Sequence, residues 1–219
     1  MTQAVLVEAC VESLEEALAA ERRGARRLEL CANMDVGGTT PSAELFRAVR
    51  GRVGIPIAMM IRPRGGSFVY SNAELESMRR DLAIAVELGA DVAVIGVLDA
   101  HGRVDAARTR ELVARAGSMP VTFHKAFDVV RDQERDLEVL IDAGVGRVLT
   151  SGGAETAIEG ADALTRLVDR AAGRITIMPG GKVRGNNVRE IVERTGAREV
   201  HARCNTDESR IREIIASLG

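Results

Sequence analysis

Two short apolar runs, Val5–Cys10 and Arg27–Cys31, each finish with a glutamate and a cysteine two residues apart: Glu8 with Cys10, and Glu29 with Cys31. Side chains alternate across a β-strand, so in each run the carboxylate and the thiol share one face, with aliphatic residues on the other. If the strands are parallel and covered on both sides, these glutamates sit where charge is costly to keep. An acid/base role for Glu8 and Glu29 is one chemistry such a pattern offers. The second is soft-metal binding by Cys10 and Cys31, because adjacent strands lie about 4.8 Å apart and their thiols can share one ion.

Four further segments carry reactive or anion-binding groups. Met60-Ile61-Arg62-Pro63-Arg64-Gly65-Gly66 joins two guanidinium groups to a loop that can approach a ligand closely, and Arg62 and Arg64 read as an anion site. The competing reading is that one of these arginines neutralises Glu8 or Glu29. Thr122-Phe123-His124 places His124 on the same presumed interior face, where it is a candidate general acid, general base or metal ligand. Lys125 alternates to the opposite side, and Asp128 reads as an orienting group. Late in the chain, Thr150-Ser151-Gly152-Gly153 and Met178-Pro179-Gly180-Gly181 offer backbone N–H groups, with Gly180 and Gly181 the better placed to hold an anion. Met60, Met178 and His201 add soft or imidazole donors to the metal reading, while Cys204 reads as the most exposed thiol.

These residues need a scaffold that brings strand ends together. A Gly plus a small residue precedes a β-rich run at Gly24-Ala25, Gly89-Ala90, Gly144-Val145 and Gly196-Ala197, the punctuation of helix-to-strand turns. Ser13-x-x-Glu16 and Ser71-x-x-Glu74 have the form of capping boxes, and Asn186 and Asn187 of helix caps. Strands are expected at Val5–Cys10, Arg27–Cys31, Pro56–Ile61, Asp91–Ile95, Pro120–Phe123, Arg147–Thr150, Thr176–Met178 and Glu199–His201, each followed by a helix. Eight such units predict an α/β protein, a TIM-type (β/α)8 barrel spanning residues 1–219 as one domain; an open doubly wound sheet is the alternative. In either fold a ligand binds at the carboxyl ends of the strands.

Composition narrows the partners. A formal net charge of −2 argues against a broad nucleic-acid footprint, and 2% aromatic residues leave few rings on which bases could stack. Apolar runs are too short for a bilayer span and the N-terminus lacks a signal-peptide pattern, so a cytoplasmic protein is expected. Three cysteines suit reduced thiols better than a disulfide framework.

The ordered set Glu8-Ala9-Cys10, Leu28-Glu29-Leu30-Cys31, Gly37-Gly38-Thr39-Thr40-Pro41-Ser42, Ile61-Arg62-Pro63-Arg64-Gly65-Gly66, Thr122-Phe123-His124, Ala126-Phe127-Asp128, Thr150-Ser151-Gly152-Gly153 and Met178-Pro179-Gly180-Gly181 resembles the copper-homeostasis protein CutC family. That resemblance implies a cytoplasmic barrel, often a homo-oligomer, with copper as its ligand and Cys10 and Cys31 as metal donors. The alternative use of the same cavity is acid/base chemistry on an anionic small molecule, phosphorylated or carboxylated. Lys125, Ser67 and the segment Ala202-Arg203-Cys204-Asn205 depart from the family pattern, which usually has Arg, Asp and Gly/Cys-Ser-Ala-Arg there.

Overall fold

The computed structural model describes residues 4–204 and 209–219. Eight strands run parallel: β1 (Leu6–Val11), β2 (Arg27–Leu30), β3 (Ile57–Met60), β4 (Val92–Ile95), β5 (Val121–Phe123), β6 (Arg147–Thr150), β7 (Thr176–Pro179) and β8 (Glu199–Arg203). They pair in the order β7-β6-β5-β4-β3-β2-β1-β8, and a parallel bridge between Gly180 and His201 draws β7 against β8. The sheet is therefore nearly closed on itself, and the open doubly wound alternative is excluded. Eight helices alternate with the strands: α1 (Leu14–Arg22), α2 (Ala43–Arg50), α3 (Asn72–Glu87), α4 (Ala106–Ala116), α5 (Gln133–Asp142), α6 (Ala161–Ala171), α7 (Val188–Thr195) and α8 (Ser209–Leu218).

Local signals set many of the boundaries. Gly24, Gly89, Gly144 and Gly196 all adopt positive φ (96°, 71°, 82° and 69°), the backbone that glycine reaches without a Cβ penalty. Ser71 and Glu74 form a complete capping box at the start of α3. At α1 only half of the box forms: Ser13 accepts from the Glu16 N–H, while the Glu16 carboxylate turns to the Glu12 N–H. Asn187 precedes α7 but accepts from the Arg184 N–H instead of capping a helical amide.

The aliphatic core lies between sheet and helices. Phe46, Phe123, Phe127, Leu28, Leu30, Ile57 and Ile95 are among its largest fully buried side chains. Strand alternation sends the other face inward, where Cys10, Cys31, Ala58, Met60, Val92 and Val94 form a second, small apolar cluster with Met34 packed against it. The inward face also carries buried charged and polar groups, Glu8, Arg27, Glu29, Thr122 and His201. No helix among the described residues is long and apolar enough to cross a membrane.

Candidate functional site at the barrel mouth

The barrel interior has a lower and an upper layer. In the lower layer, Arg27 donates through Nε to Glu8 and through Nη2 to Glu199 (2.5 Å), and Arg147 donates through Nε to the same Glu199 oxygen (2.6 Å). Arg147 also reaches Thr122 Oγ1 at 3.1 Å. The chain of alternating charges thus crosses from β1 through β2 and β8 to β6. Glu8 gives its second oxygen to His201 Nδ1 at 2.8 Å. Burial opposes the Glu8 charge, but the His201 hydrogen bond and the Arg27 charge outweigh it and hold the carboxyl near 2. Burial likewise opposes charge on His201, yet Glu29, Cys10 and Glu8 together push its pKa well above the usual histidine range.

Above this layer a cavity of about 340 Å³ opens at the carboxyl ends of the strands. Glu29, Cys10, Met60, Arg62, Phe68, His124, Lys125, Gly181 and His201 contribute to its walls. Because β1 and β2 are neighbours, with Cys10 opposite Glu29, the two thiols meet at the mouth: Cys10 Sγ lies 3.7 Å from Cys31 Sγ. Met34, in the turn after β2, brings its Sδ to 3.5 Å from Cys10 Sγ. A Cβ on Gly38 would stand 3.3 Å from Cys31 Sγ and 3.4 Å from Met34 Sδ, so glycine there leaves the sulfurs room.

The thiols are protonated at neutral pH. The hydrogen bond to Cys31 and then burial raise Cys10 well above the ordinary thiol value. For Cys31, the Cys10 hydrogen bond works downward, but burial and the Glu29 charge prevail and push it up to about 11. Cys31 Sγ donates to Glu29 Oε2 at 3.5 Å, and His201 Nε2 lies 3.8 Å from that oxygen. Burial raises the Glu29 pKa, with the Glu8 charge adding to it against the pull of His201. The other oxygen, Glu29 Oε1, is buried with no hydrogen-bond partner. Among the described residues, two groups have the spacing to hold a metal ion, Cys10-Glu29-Cys31 and Glu8-Glu29-His201.

Several sequence expectations need correction. Glu8 lies beneath the cavity with both oxygens engaged, because Arg27, not Arg62 or Arg64, neutralises it. Arg64 turns outward: it pairs with Glu74 at 2.5 Å, donates to the carbonyls of Gly65, Ser67 and Val69, and lies over Tyr70. Arg62 does reach the cavity, held by the carbonyls of Val36, Gly37, Gly38 and Gly66 at 3.0–3.2 Å. The Gly180 N–H is spent on the Thr150 carbonyl, so only Gly181 of the pair lines the cavity. The β6 loop amides of Ser151 and Gly153 go to Asp128 Oδ1, an internal carboxylate occupying what reads in sequence as an anion cradle.

His124 is not poised as a base or metal ligand through its free nitrogen. Its Nδ1 accepts the Ala126 N–H at 3.1 Å, while burial and then the Arg62 charge depress its pKa to about 3. The neutral ring therefore carries its proton on Nε2, which is buried without a partner. Lys125 also departs from the alternation rule. The strand ends at Phe123 and the chain enters a 3-10 turn, Lys125–Val129, which brings Nζ to Asp128 and to Ser151 Oγ (2.9 Å) at the cavity wall. Cys204 is the most exposed of the three thiols, but at 3% against 1% for Cys10 and 0% for Cys31 it is buried like them, since its N–H extends the β1–β8 pairing to the Cys10 carbonyl. Asn205 lies outside the described residues.

Arg27, Glu199, Arg147 and Met34 escaped the sequence reading. For Arg27 and Glu199 a signal existed, because Arg27 alternates with Glu29 and Cys31, and Glu199 with His201. Met34 sits in a turn with no periodicity to mark it. Gly96, just past β4, is a further one: a Cβ there would overlap the His124 ring.

A parallel (β/α)8 barrel with a polar interior and sulfur, carboxylate and imidazole groups at the carboxyl ends of its strands belongs to the TIM-barrel class. The sequence pattern of the CutC family matches residues 5–206, and the chain belongs to that family. A CutC family protein of Chromobacterium violaceum is 48% identical over 197 residues, 90% of this chain and 80% of the relative. The copper homeostasis protein cutC homolog of Mus musculus is 46% identical over 205 residues, 94% of this chain and 75% of the relative. A CutC crystal structure from Streptococcus agalactiae superposes with a TM-score of 0.86 at 37% identity, covering 90% of this chain and 97% of that one. A phosphoribosylanthranilate isomerase from Thermotoga maritima shares the fold alone, with a TM-score of 0.65, 15% identity and 98% of each chain covered.

Proposed function

We propose that this protein takes part in copper homeostasis by holding Cu(I) as cargo at the barrel mouth, with Cys10 and Cys31 as ligands and Met34 as a third sulfur donor. The observation that carries this reading is the convergence of three sulfurs from β1, β2 and the turn after β2, with both S···S separations from Cys10 below 4 Å. Thiolate and thioether donors are the set a soft monovalent ion prefers. The names of the curated relatives, which speak of copper homeostasis, support the same ligand.

The site also explains where the protons go. Thiols must lose their protons to bind a metal, and Glu29 Oε2 stands 3.5 Å from Cys31 Sγ as the nearest acceptor. With both thiol pKa values raised, Cu(I) binding releases protons and tightens as pH rises. The test is a Cu(I) competition titration of the reduced protein against a chelator, beside the Cys10→Ser/Cys31→Ser double variant. Stoichiometric binding by the wild type, weakened by at least about 100-fold in the variant (~2.7 kcal/mol), supports the assignment. Equal affinity in the two proteins removes it.

A further inference from the structure

The mouth cavity holds a second set of groups that the sulfurs do not use. Arg62 is a buried cation, 4% exposed, whose four hydrogen bonds go to backbone carbonyls. Among the described residues no carboxylate lies within ion-pair distance of it, and its Nε has no partner. Carbonyl dipoles hold a guanidinium in place without cancelling its charge, so a net positive charge remains in a low-dielectric wall. Every other charged group of the barrel interior described above has an ionic partner.

His124 stands in the same wall, linked to Arg62 through Phe68. The Arg62 guanidinium carbon lies 4.8 Å from the Phe68 ring centroid, and the Phe68 and His124 centroids are 5.1 Å apart. Because Nδ1 is committed to the Ala126 N–H, Nε2–H is a fixed donor without a partner, and Gly96 provides the space its ring occupies. Glu29, on β2, lines the same cavity, and its Oε1 is an unpartnered oxygen. Buried polar groups are nearly always partnered, and a cation, a donor and a carboxyl oxygen left open around one cavity mark where a ligand completes them.

We propose that the mouth cavity is a binding site for a small hydroxylated organic anion, whose charged oxygen group lies against Arg62 and accepts the His124 Nε2–H, and whose hydroxyl pairs with Glu29 Oε1. A cavity of about 340 Å³ suits a compact metabolite. The neutral imidazole matters here: an N–H that stays neutral donates to an anion across the physiological pH range, with no switch in charge. The site shares Glu29 with the copper reading, where the Oε2 of that residue faces Cys31, but it uses none of the three sulfurs.

The experiment uses the full chain, reduced and metal-free, titrated calorimetrically with glycerate, glycerol 3-phosphate and inorganic phosphate up to about 10 mM. The three arms separate a carboxylate from a phosphate ligand and the organic part from a bare oxyanion. Saturable binding of glycerate or glycerol 3-phosphate is expected, tighter than that of inorganic phosphate. Asn at position 124 keeps an acceptor for the Ala126 N–H but removes the Nε2 donor, so His124→Asn weakens binding about tenfold. His124→Gln, which extends an amide N–H towards the Nε2 position, recovers part of the loss. Arg62→Lys keeps the charge but not the fork held by four carbonyls, and weakens binding as well. Imidazole nitrogen spectra of the wild type at pH 6 show the Nε2-protonated neutral ring, whose signal shifts on ligand addition. The proposal is overturned if neither organic anion binds, if inorganic phosphate binds as tightly as both, or if His124→Asn binds like the wild type.

Discussion

The lower and upper halves of the barrel interior are built from the same residue types and end in opposite states. Below, Glu8, Arg27, Glu199 and Arg147 form a chain in which each charge meets one or two opposite charges. Above, Glu29 Oε1, His124 Nε2 and Arg62 Nε are buried and unpartnered, and three sulfurs gather with their thiols protonated. The difference separates scaffold from site: polarity that is internally complete fixes the fold, while polarity left open awaits a ligand. The completed lower layer also acts on the upper one, because it orients His201 through Glu8 and so sets the field around Glu29.

The sharpest test of that division removes one link of the lower chain. Arg27→Met leaves Glu8 and Glu199 with buried charge facing no guanidinium from β2, and breaking a buried ion network in this way costs about 3–5 kcal/mol. Urea unfolding at pH 7 measures it. A loss under about 1 kcal/mol would show that the lower layer is no more structural than the upper.

Met34→Leu probes the upper layer with little change in volume. It removes one thioether from a half-buried turn, so Cu(I) affinity falls about tenfold (~1.4 kcal/mol) while the urea midpoint moves little. If affinity stays and stability drops, Met34 belongs to packing and the soft-metal set shrinks to two thiols.

His124 offers a pH signature. Its pKa is depressed to about 3 in the folded protein from an ordinary 6.5, so the unfolded chain binds the extra proton first. The stability this contributes is complete above pH 6.5 and is lost as pH falls toward 3, at a slope approaching ~1.4 kcal/mol per pH unit inside that window. Melting temperatures from pH 7.5 to 5, above the range where most carboxylates titrate, should fall more steeply for the wild type than for His124→Asn. Parallel curves would mean that the ring takes its proton at Nδ1 in place, and the hydrogen bond accepted from the Ala126 N–H, which fixes the ring, would be lost with it.

How far the sequence foretold this depends on the length scale. All eight strands begin and end within two residues of where periodicity and Gly punctuation place them, because both signals are local. The inward positions of Glu29, Cys10, Cys31 and His124 followed from alternation. What alternation could not supply was pairing across the barrel: Glu8 meets Arg27 on the next strand, and Arg27 meets Glu199, 172 residues away. Alternation also stops where a strand stops, which is why Lys125 and Met34, both in turns, reach the cavity without a periodic signal. The β6 loop looked like an anion cradle because its sequence is one; Asp128, from another loop, already fills it.

The smallest expected effect closes the comparison from outside the barrel. Arg62 and Arg64 are separated by one proline and read alike in sequence, but Arg64 is 38% exposed along its side chain and pairs with the half-exposed Glu74. Water screens such a pair, so Arg64→Ala should cost less than about 1 kcal/mol in urea unfolding, part of it from lost contact with Tyr70 rather than lost charge. Glycerate or glycerol 3-phosphate affinity should remain within about twofold of the wild type, in contrast to Arg62→Lys. A tenfold loss in Arg64→Ala would extend the anion site to the outer loop, and the boundary between the open cavity and the solvated rim would then lie one residue further out than the hydrogen bonds of Arg62 place it.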